Sequence, residues 1–209
     1  MFAKNTLVRR SVRLLATALI VSSLTACSAD PTLYTLVPVS PAASTAMGLA
    51  PGVIEVRTPV VSQRLDRDDI VRRDRDYKLE IAKGDAWSEP IASMIGHALS
   101  QDLAIRLPGS TVFSQNDAVS TVPTAYVELT VTAFNEDQAG NAVLQANLST
   151  HLADAGAFPV LTVPVRLARK PDGSSTADLV AALSQMTGEL ADEAARRLRM
   201  LPAPVASVR

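Results

Sequence analysis

The sequence predicts a mixed α/β fold, a partly antiparallel sheet of about seven short strands packed by two long helices. Three observations carry this. Val127, Leu129, Val131 and Ala133 alternate with Glu128, Thr130 and Thr132. Leu144, Ala146, Leu148 and Leu152 alternate with Gln145, Asn147, Ser149 and His151, and a polar stretch from Asn135 to Asn141 separates the two runs. Period two on both sides of a polar turn is the pattern of an antiparallel pair. Ile91, Ile95, Leu99 and Leu103 recur every four residues, and Leu179, Leu183, Met186, Leu190, Ala194 and Leu198 form a longer stripe. Both are apolar faces of helical period.

The remaining elements follow from local chemistry. Leu33 to Val37 reads as a short strand, and Pro38 to Gly52 as a loop rich in Pro, Ala, Ser and Gly. Val53 to Val56 resumes strand character until Pro59 and a charged stretch break it. Ile70-Val71 and Tyr77 to Ile81 are expected as strands joined through residues 73–76. A helix is expected near Ser88, with Ser88 as cap, Glu89 at the positive end and Pro90 in the first turn. Leu107-Pro108-Gly109 ends it, and Thr111 to Phe113 is a strand. Pro164 demotes the strand of Leu161, Val163, Val165 and Leu167 to a sheet edge. Thr176 is expected to cap a helix from Ala177 to Arg199, with Arg196, Arg197 and Arg199 at its negative end.

The N-terminus has a different character. Lys4, Arg9, Arg10 and Arg13 precede an uncharged, mostly apolar run from Leu14 to Ala29 that ends in Leu24-Thr25-Ala26-Cys27. Basic, then apolar, then small residues is the order of a secretory leader. The run has 16 residues diluted by Ser and Thr, against about 20 needed to span a bilayer. Leu-x-Ala-Cys resembles a bacterial lipobox, in which the leader is cut before the cysteine and the cysteine is acylated. The reading is therefore a leader over 1–26, a lipidated Cys27 (N-acyl diacylglyceryl, palmitate-type chains) with a short tether over 27–32, one domain over 33–200, and a disordered tail over 201–209. Multiple acyl chains anchor stably where one does not. Ser28, where an Asp signals inner-membrane retention, directs the expectation to the periplasmic face of the outer membrane. From Cys27 to Leu33 the tether reaches roughly 20 Å, so the domain is expected close to the lipid surface.

Composition narrows the chemistry. The leader holds four of the 20 basic residues and no acid, so removing it takes 209 residues to 183 and the net charge from −1 to −5. A mildly acidic domain is a poor nucleic-acid binder. Cys27 is the only cysteine, so no disulfide is available to the mature chain. The nine glycines never stand closer than four positions apart, which excludes the Gly-rich nucleotide motifs and the nucleophile elbow. His97 and His151 are the only histidines, too few for the usual zinc spacing. Counted from Asp66, a calcium loop needs Gly sixth and Glu twelfth, where Val71 and Tyr77 stand. No cofactor, metal or catalytic residue is expected. Residues 64–78 carry six basic and five acidic side chains, a solvated hairpin or a docking edge that sets register. Trp87, the lone tryptophan, is a core anchor or a docking hot spot.

These residues together resemble a family. Tyr34-Thr35-Leu36 after the lipobox, Val53 to Val56 with Pro59-Val60, Leu65-Asp66-Arg67 running on to Ile70-Val71-Arg72-Arg73, and Trp87-Ser88-Glu89-Pro90-Ile91 followed by Leu99 and Leu103 resemble the ABC-type transport auxiliary lipoproteins, the family that includes paraquat-inducible protein C. Asp68-Asp69 departs from the more usual Arg-Pro or Pro-Gln there. The resemblance implies an α/β sandwich, not an enzyme. It also implies work with an inner-membrane ABC transporter or integral membrane component and a periplasmic protein with MCE domains, in transport of lipids or other hydrophobic compounds. A homo-oligomeric ring is a reasonable expectation beside a rotationally symmetric assembly. Leu65, Asp66, Arg67, Ile70 and Trp87 are the expected docking residues. The competing expectations are a periplasmic lipid carrier, and an outer-membrane lipoprotein that activates envelope synthesis or belongs to a secretion channel.

Overall fold

A computed structural model describes residues 30–41, 50–75, 78–154 and 160–202, and the strands and helices belong to a unit beginning at Thr32. The leader, Cys27 and residues 203–209 of the tail lie outside the described residues. Chain order is β1 (Thr32–Tyr34), β2 (Val53–Val56), β3 (Val60–Val61), β4 (Asp69–Arg75), β5 (Lys78–Trp87), α1 (Ile91–Arg106), β6 (Thr111–Ser114), β7 (Ala125–Glu136), β8 (Ala142–Leu152), β9 (Leu161–Arg169) and α2 (Thr176–Met200). The α/β class and the partly antiparallel sheet are as expected. The described strands number nine rather than about seven; β3, just after Pro59, is the one with no counterpart among the segments read from the sequence.

The sheet is organised on β7. One side of β7 pairs antiparallel with β8 from Ala125↔Leu152 to Glu136↔Ala142, and β9 continues antiparallel on β8. The other side takes three parallel partners in succession: β2 beside Ala125–Val127, β3 beside Thr130–Val131, and β4 at Arg73↔Glu136. β6 then adds to β2, and β5 and β1 add to β4, so the sheet forks on that side. The hairpin between β7 and β8 closes through Asp137, whose Oδ1 accepts from the backbone N–H of Ala139 and of Asn141, both at 2.8 Å. Gly140 supplies the φ of 83° that the turn requires.

A register shift between Val131 and Ala133 changes the phase of β7. Before it, Val127, Leu129 and Val131 face the core. After it, Phe134 stands opposite the buried Leu144, and Ala133 opposite the exposed Gln145. The extra residue is a β-bulge, and it hands the inward face from odd to even positions. Phe134 therefore packs on Trp87 with ring centroids 6.2 Å apart, and Glu136 is turned into the interior at 4% exposure. Glu136 Oε2 accepts from Arg72 Nε at 3.0 Å and Nη2 at 2.8 Å, while Arg72 also donates to the Ser174 carbonyl at 3.1 Å. That one guanidinium joins β4, β7 and the entry to α2.

Both helices cover the core, and each begins differently from expectation. Ser175, not Thr176, caps α2: its Oγ accepts from the Asp178 N–H at 3.1 Å, and Asp178 Oδ2 accepts from the Ser175 N–H at 3.0 Å. This capping box holds the Asp178 carboxyl below the ordinary aspartate range. Thr176 Oγ1 instead accepts from Arg72 at 3.4 Å. Pro90, not Ser88, precedes α1, because the Ser88 N–H is donated to the Tyr34 carbonyl at 2.8 Å and the chain is still tied to β1 there. α1 is buried over most of its surface, including Gly96, Ser100, Asp102 and Arg106, while Gln101, Ala104 and Ile105 face solvent. Gly96 lets Pro59 approach; a Cβ at this position would lie 3.3 Å from Pro59 Cδ.

Trp87 is 5% exposed and packs on Phe134, so its ring is anchored in the core. Trp87→Ala is expected to cost about 3–5 kcal/mol of stability, read by urea unfolding of the intact chain. A change within about 0.5 kcal/mol would show that Trp87 bears no core load.

Candidate functional site

The segment singled out for docking folds as a loop on a plug. Leu65 is 2% exposed and Ile70 is fully buried. Around Leu65 the backbone closes on itself: the Leu65 N–H donates to the Ser62 carbonyl at 2.8 Å and the Arg67 N–H to the Leu65 carbonyl at 2.9 Å. Both ends are fastened, by the Ser62 N–H on the Val131 carbonyl at 3.0 Å and the Trp87 N–H on the Asp68 carbonyl at 2.8 Å. Arg64 Nη2 also donates to the Thr132 carbonyl at 2.8 Å, at the bulge of β7.

Of the five expected docking residues, Leu65, Ile70 and Trp87 therefore support the loop from inside, and Asp66 and Arg67 present side chains to solvent. Asp68 is exposed as well, and Arg67 Nε lies 3.4 Å from Asp69 Oδ2. The result is a loop fastened at both ends with charges of both signs at its crest. Its apolar residues were legible as apolar, but periodicity does not tell a plug from a patch.

The sheet face away from the helices carries a second polar group. Arg57 lies over the Tyr126 ring at 4.4 Å, and the Tyr126 and His151 rings are 5.4 Å apart. Glu128 sits between them, 3.5 Å from Arg57 Nε and 3.7 Å from His151 Nε2. The register places these residues together, since Tyr126 faces His151 and Glu55 faces Tyr126. An open groove of about 450 Å³ adjoins them, floored by Thr130, Asn147, Ser149 and Thr162. His97 is on α1, with Nδ1 at 3.0 Å from Glu89 Oε2. Among the described residues no group of three His, Cys, Asp or Glu is placed to hold a metal ion, and no helix is long and apolar enough to cross a membrane.

A third group was missed in the sequence. After β1 the chain crosses the outer side of both helices. The Val37 N–H donates to Ser184 Oγ at 3.2 Å and the Val39 N–H to Asp102 Oδ1 at 2.7 Å. Arg106 Nη1 donates to the Val39 carbonyl at 2.9 Å, and its Nε donates to Asp192 Oδ1 at 2.7 Å. Asp102 has no exposed surface, and its Oδ2 has no hydrogen-bond partner. A signal was present: Asp102 and Arg106 continue the Ile95–Leu99 face at helical spacing, an ion pair written into an apolar stripe.

Burial pushes the Asp102 carboxyl above the ordinary aspartate value, against the Val39 N–H and the Arg106 charge, which pull it down. A carboxyl raised in the native state favours folding below its unfolded pKa, and that contribution is lost as pH rises through the native pKa. Asp102→Asn cannot titrate. Its stability relative to the parent is therefore expected to increase as pH rises from the ordinary aspartate value toward neutrality, measured by urea unfolding across that window. A constant difference would mean that Asp102 titrates normally in the fold.

The family model of the ABC-type transport auxiliary lipoprotein component matches residues 34–195. No curated protein matches the chain. The fold is similar to the crystal structure of an uncharacterized protein at 18% identity and TM-score 0.65, covering 81% of this chain and 99% of that one. It is likewise similar to the crystal structure of protein XCC0632 from Xanthomonas campestris at 16% identity and TM-score 0.67, with 81% and 95% covered. At that identity the two structures speak for the fold. The family match runs from β1 through most of α2, including the loop around Leu65 and the Asp102–Arg106 pair, and the chain belongs to the ABC-type transport auxiliary lipoprotein component family.

Proposed function

We propose that this chain is an envelope lipoprotein, acylated at Cys27 and held at the periplasmic face of the outer membrane, that docks the far end of an MCE-domain conduit. The inner-membrane end of that system is an ABC transporter or integral membrane component, and its cargo is lipid or another hydrophobic compound. The observation that carries the transport role is the family match over residues 34–195, since the family is a transport component and not an enzyme class. The Leu24 to Cys27 spacing supports the anchor. The loop crest of Asp66, Arg67 and Asp68 supports docking, because exposed charges on a fastened loop set register and encounter rate. A ring of copies around the conduit extends this reading.

The carrier reading needs an apolar chamber between helices and sheet. That space is filled by Phe134, Leu144, Leu183, Met186 and Leu190, each at most 1% exposed. The described grooves, of about 450 to 520 Å³, are open, and those beside Arg57 and beside β9 are edged by charged side chains. This favours docking over carriage.

Capture of the tagged full-length protein from crosslinked envelopes is expected to recover an MCE-domain protein. Arg67→Glu should lower that recovery several-fold without changing the unfolding midpoint, because the exposed Arg67–Asp69 pair contributes only about 0–1 kcal/mol. Recovery of a peptidoglycan synthase or a secretion channel in place of the conduit would sink the docking proposal. Cys27→Ala is expected to leave an uncut precursor in the inner-membrane fraction, and normal outer-membrane fractionation of that variant would refute the anchor.

A further inference from the structure

The stretch from β1 to residue 40 is held differently from the rest of the domain. β1 is three residues long and, among the described residues, pairs with β5 alone, at Thr32↔Asp85, Leu33↔Ala86 and Tyr34↔Trp87. Beyond it, Leu36 is the one large side chain that enters the core, whereas Val37 is 60% exposed. Tyr34 packs against the core and its carbonyl accepts from the Ser88 N–H; farther along, the hold is largely on the backbone, where Ser184 and Asp102 accept the N–H groups of Val37 and Val39 and Arg106 donates to the Val39 carbonyl. Gly188 makes the seat possible. A Cβ there would stand 3.1 Å from Val39 Cβ and 3.2 Å from Arg106 Nη2.

We propose that residues 32–40 form a releasable arm, seated across α1 and α2 by Asp102 and Arg106, whose release lets the domain stand farther from its N-terminal anchor. The reach depends on the anchor reading above; the arm itself does not. Unseated, residues 32–40 add about 30 Å of extended chain.

Three features make the arm the segment to open first. One flank of the arm is open to solvent: a groove of about 470 Å³ runs beside it, lined by Tyr34, Val37, Pro38, Val180, Ala181 and Gln185. Few buried apolar contacts and a solvent-facing edge mark the low end of local stability. The seat also encloses the unpartnered Oδ2 of Asp102, and lifting the arm admits water to it. The charges facing Asp102 are Arg106 on its own helix and Asp192 on α2, with Arg199 of α2 on the Arg106 carbonyl at 2.7 Å. The arm brings none, so the helix pair keeps its ion pairs when the arm leaves.

Two variants loosen the arm from opposite sides. Val39→Pro removes the N–H that Asp102 accepts and leaves both helices intact. Gly188→Leu fills the clearance while replacing a helix-interior glycine. Hydrogen exchange of the full-length protein in detergent is expected to show fragments within 32–40 exchanging roughly tenfold faster in both, the loss of one hydrogen bond to a charged group. Fragments of β7 and β8 should be unchanged. On vesicles of phosphatidylethanolamine and phosphatidylglycerol, energy transfer from a dye at the C-terminus to a membrane acceptor should fall in both variants. Exchange in 32–40 that stays at the parent rate, or that rises together with β7 and β8, overturns the arm. Faster exchange with unchanged energy transfer overturns the gain in reach. Failure of the anchor reading shows separately, as a parent protein that does not fractionate with membranes.

Discussion

The bulge in β7 is the constraint on which the rest depends. β7 pairs with β8 along its length, and with β2, β3 and β4 in turn on the other side. A strand of uniform phase would present the same parity to the core from end to end. One inserted residue near Thr132 reverses that parity, so the first half supplies Val127, Leu129 and Val131, and the second supplies Phe134 and Glu136. Phe134 then meets Trp87, and Glu136 meets Arg72. Without the reversal both would face the opposite side of the sheet, and the β4–β5 branch would lose its aromatic and ionic ties.

Two buried ion pairs divide the labour of orienting the helices. Arg72 with Glu136 fastens the start of α2 to the branch of the sheet, and Arg106 with Asp102 and Asp192 fastens α1 to the far part of α2. Buried pairs of this kind add little net stability over a well-packed apolar alternative, because desolvation offsets most of the attraction. Their effect is geometric. Each guanidinium reaches two or more elements at once, and a helix shifted by one residue would leave a charge unpaired in the interior. The N-terminal arm uses the second pair as its seat, so the same charges that align the helices also hold the chain that leads to Cys27.

A pattern follows for the whole molecule. The helix side of the sheet is closed by packing. The other side carries the Arg57–Tyr126–His151–Glu128 group at the surface. The loop on the Leu65 plug is fastened at both ends, and the arm is the segment we propose to yield; on the proposed function, a module that joins a membrane anchor to a partner uses both.

The strand pair at β7 and β8, both helices and the edge character of β9 were legible in the sequence because they rest on local periodicity and on single residues such as Pro164. The expected leader and the lipobox-like spacing at Cys27 rest on the sequence alone, since they are matters of order and composition along the chain. The bulge was not legible, because Ala133 fits either phase and only the register against Gln145 and Leu144 decides between them. The caps shifted by one or two residues because Arg72 and Tyr34, distant in sequence, claimed Thr176 and Ser88. The docking segment divided for the same reason: Leu65, Ile70 and Trp87 are apolar in any sequence reading, yet whether an apolar side chain is a plug or a patch depends on what packs over it. The Asp102–Arg106 seat is the clearest case. Its spacing is local, but its meaning comes from Val39, which the fold brings across 63 residues. Local chemistry determined which elements form, and long-range pairing decided which of their faces are left to act.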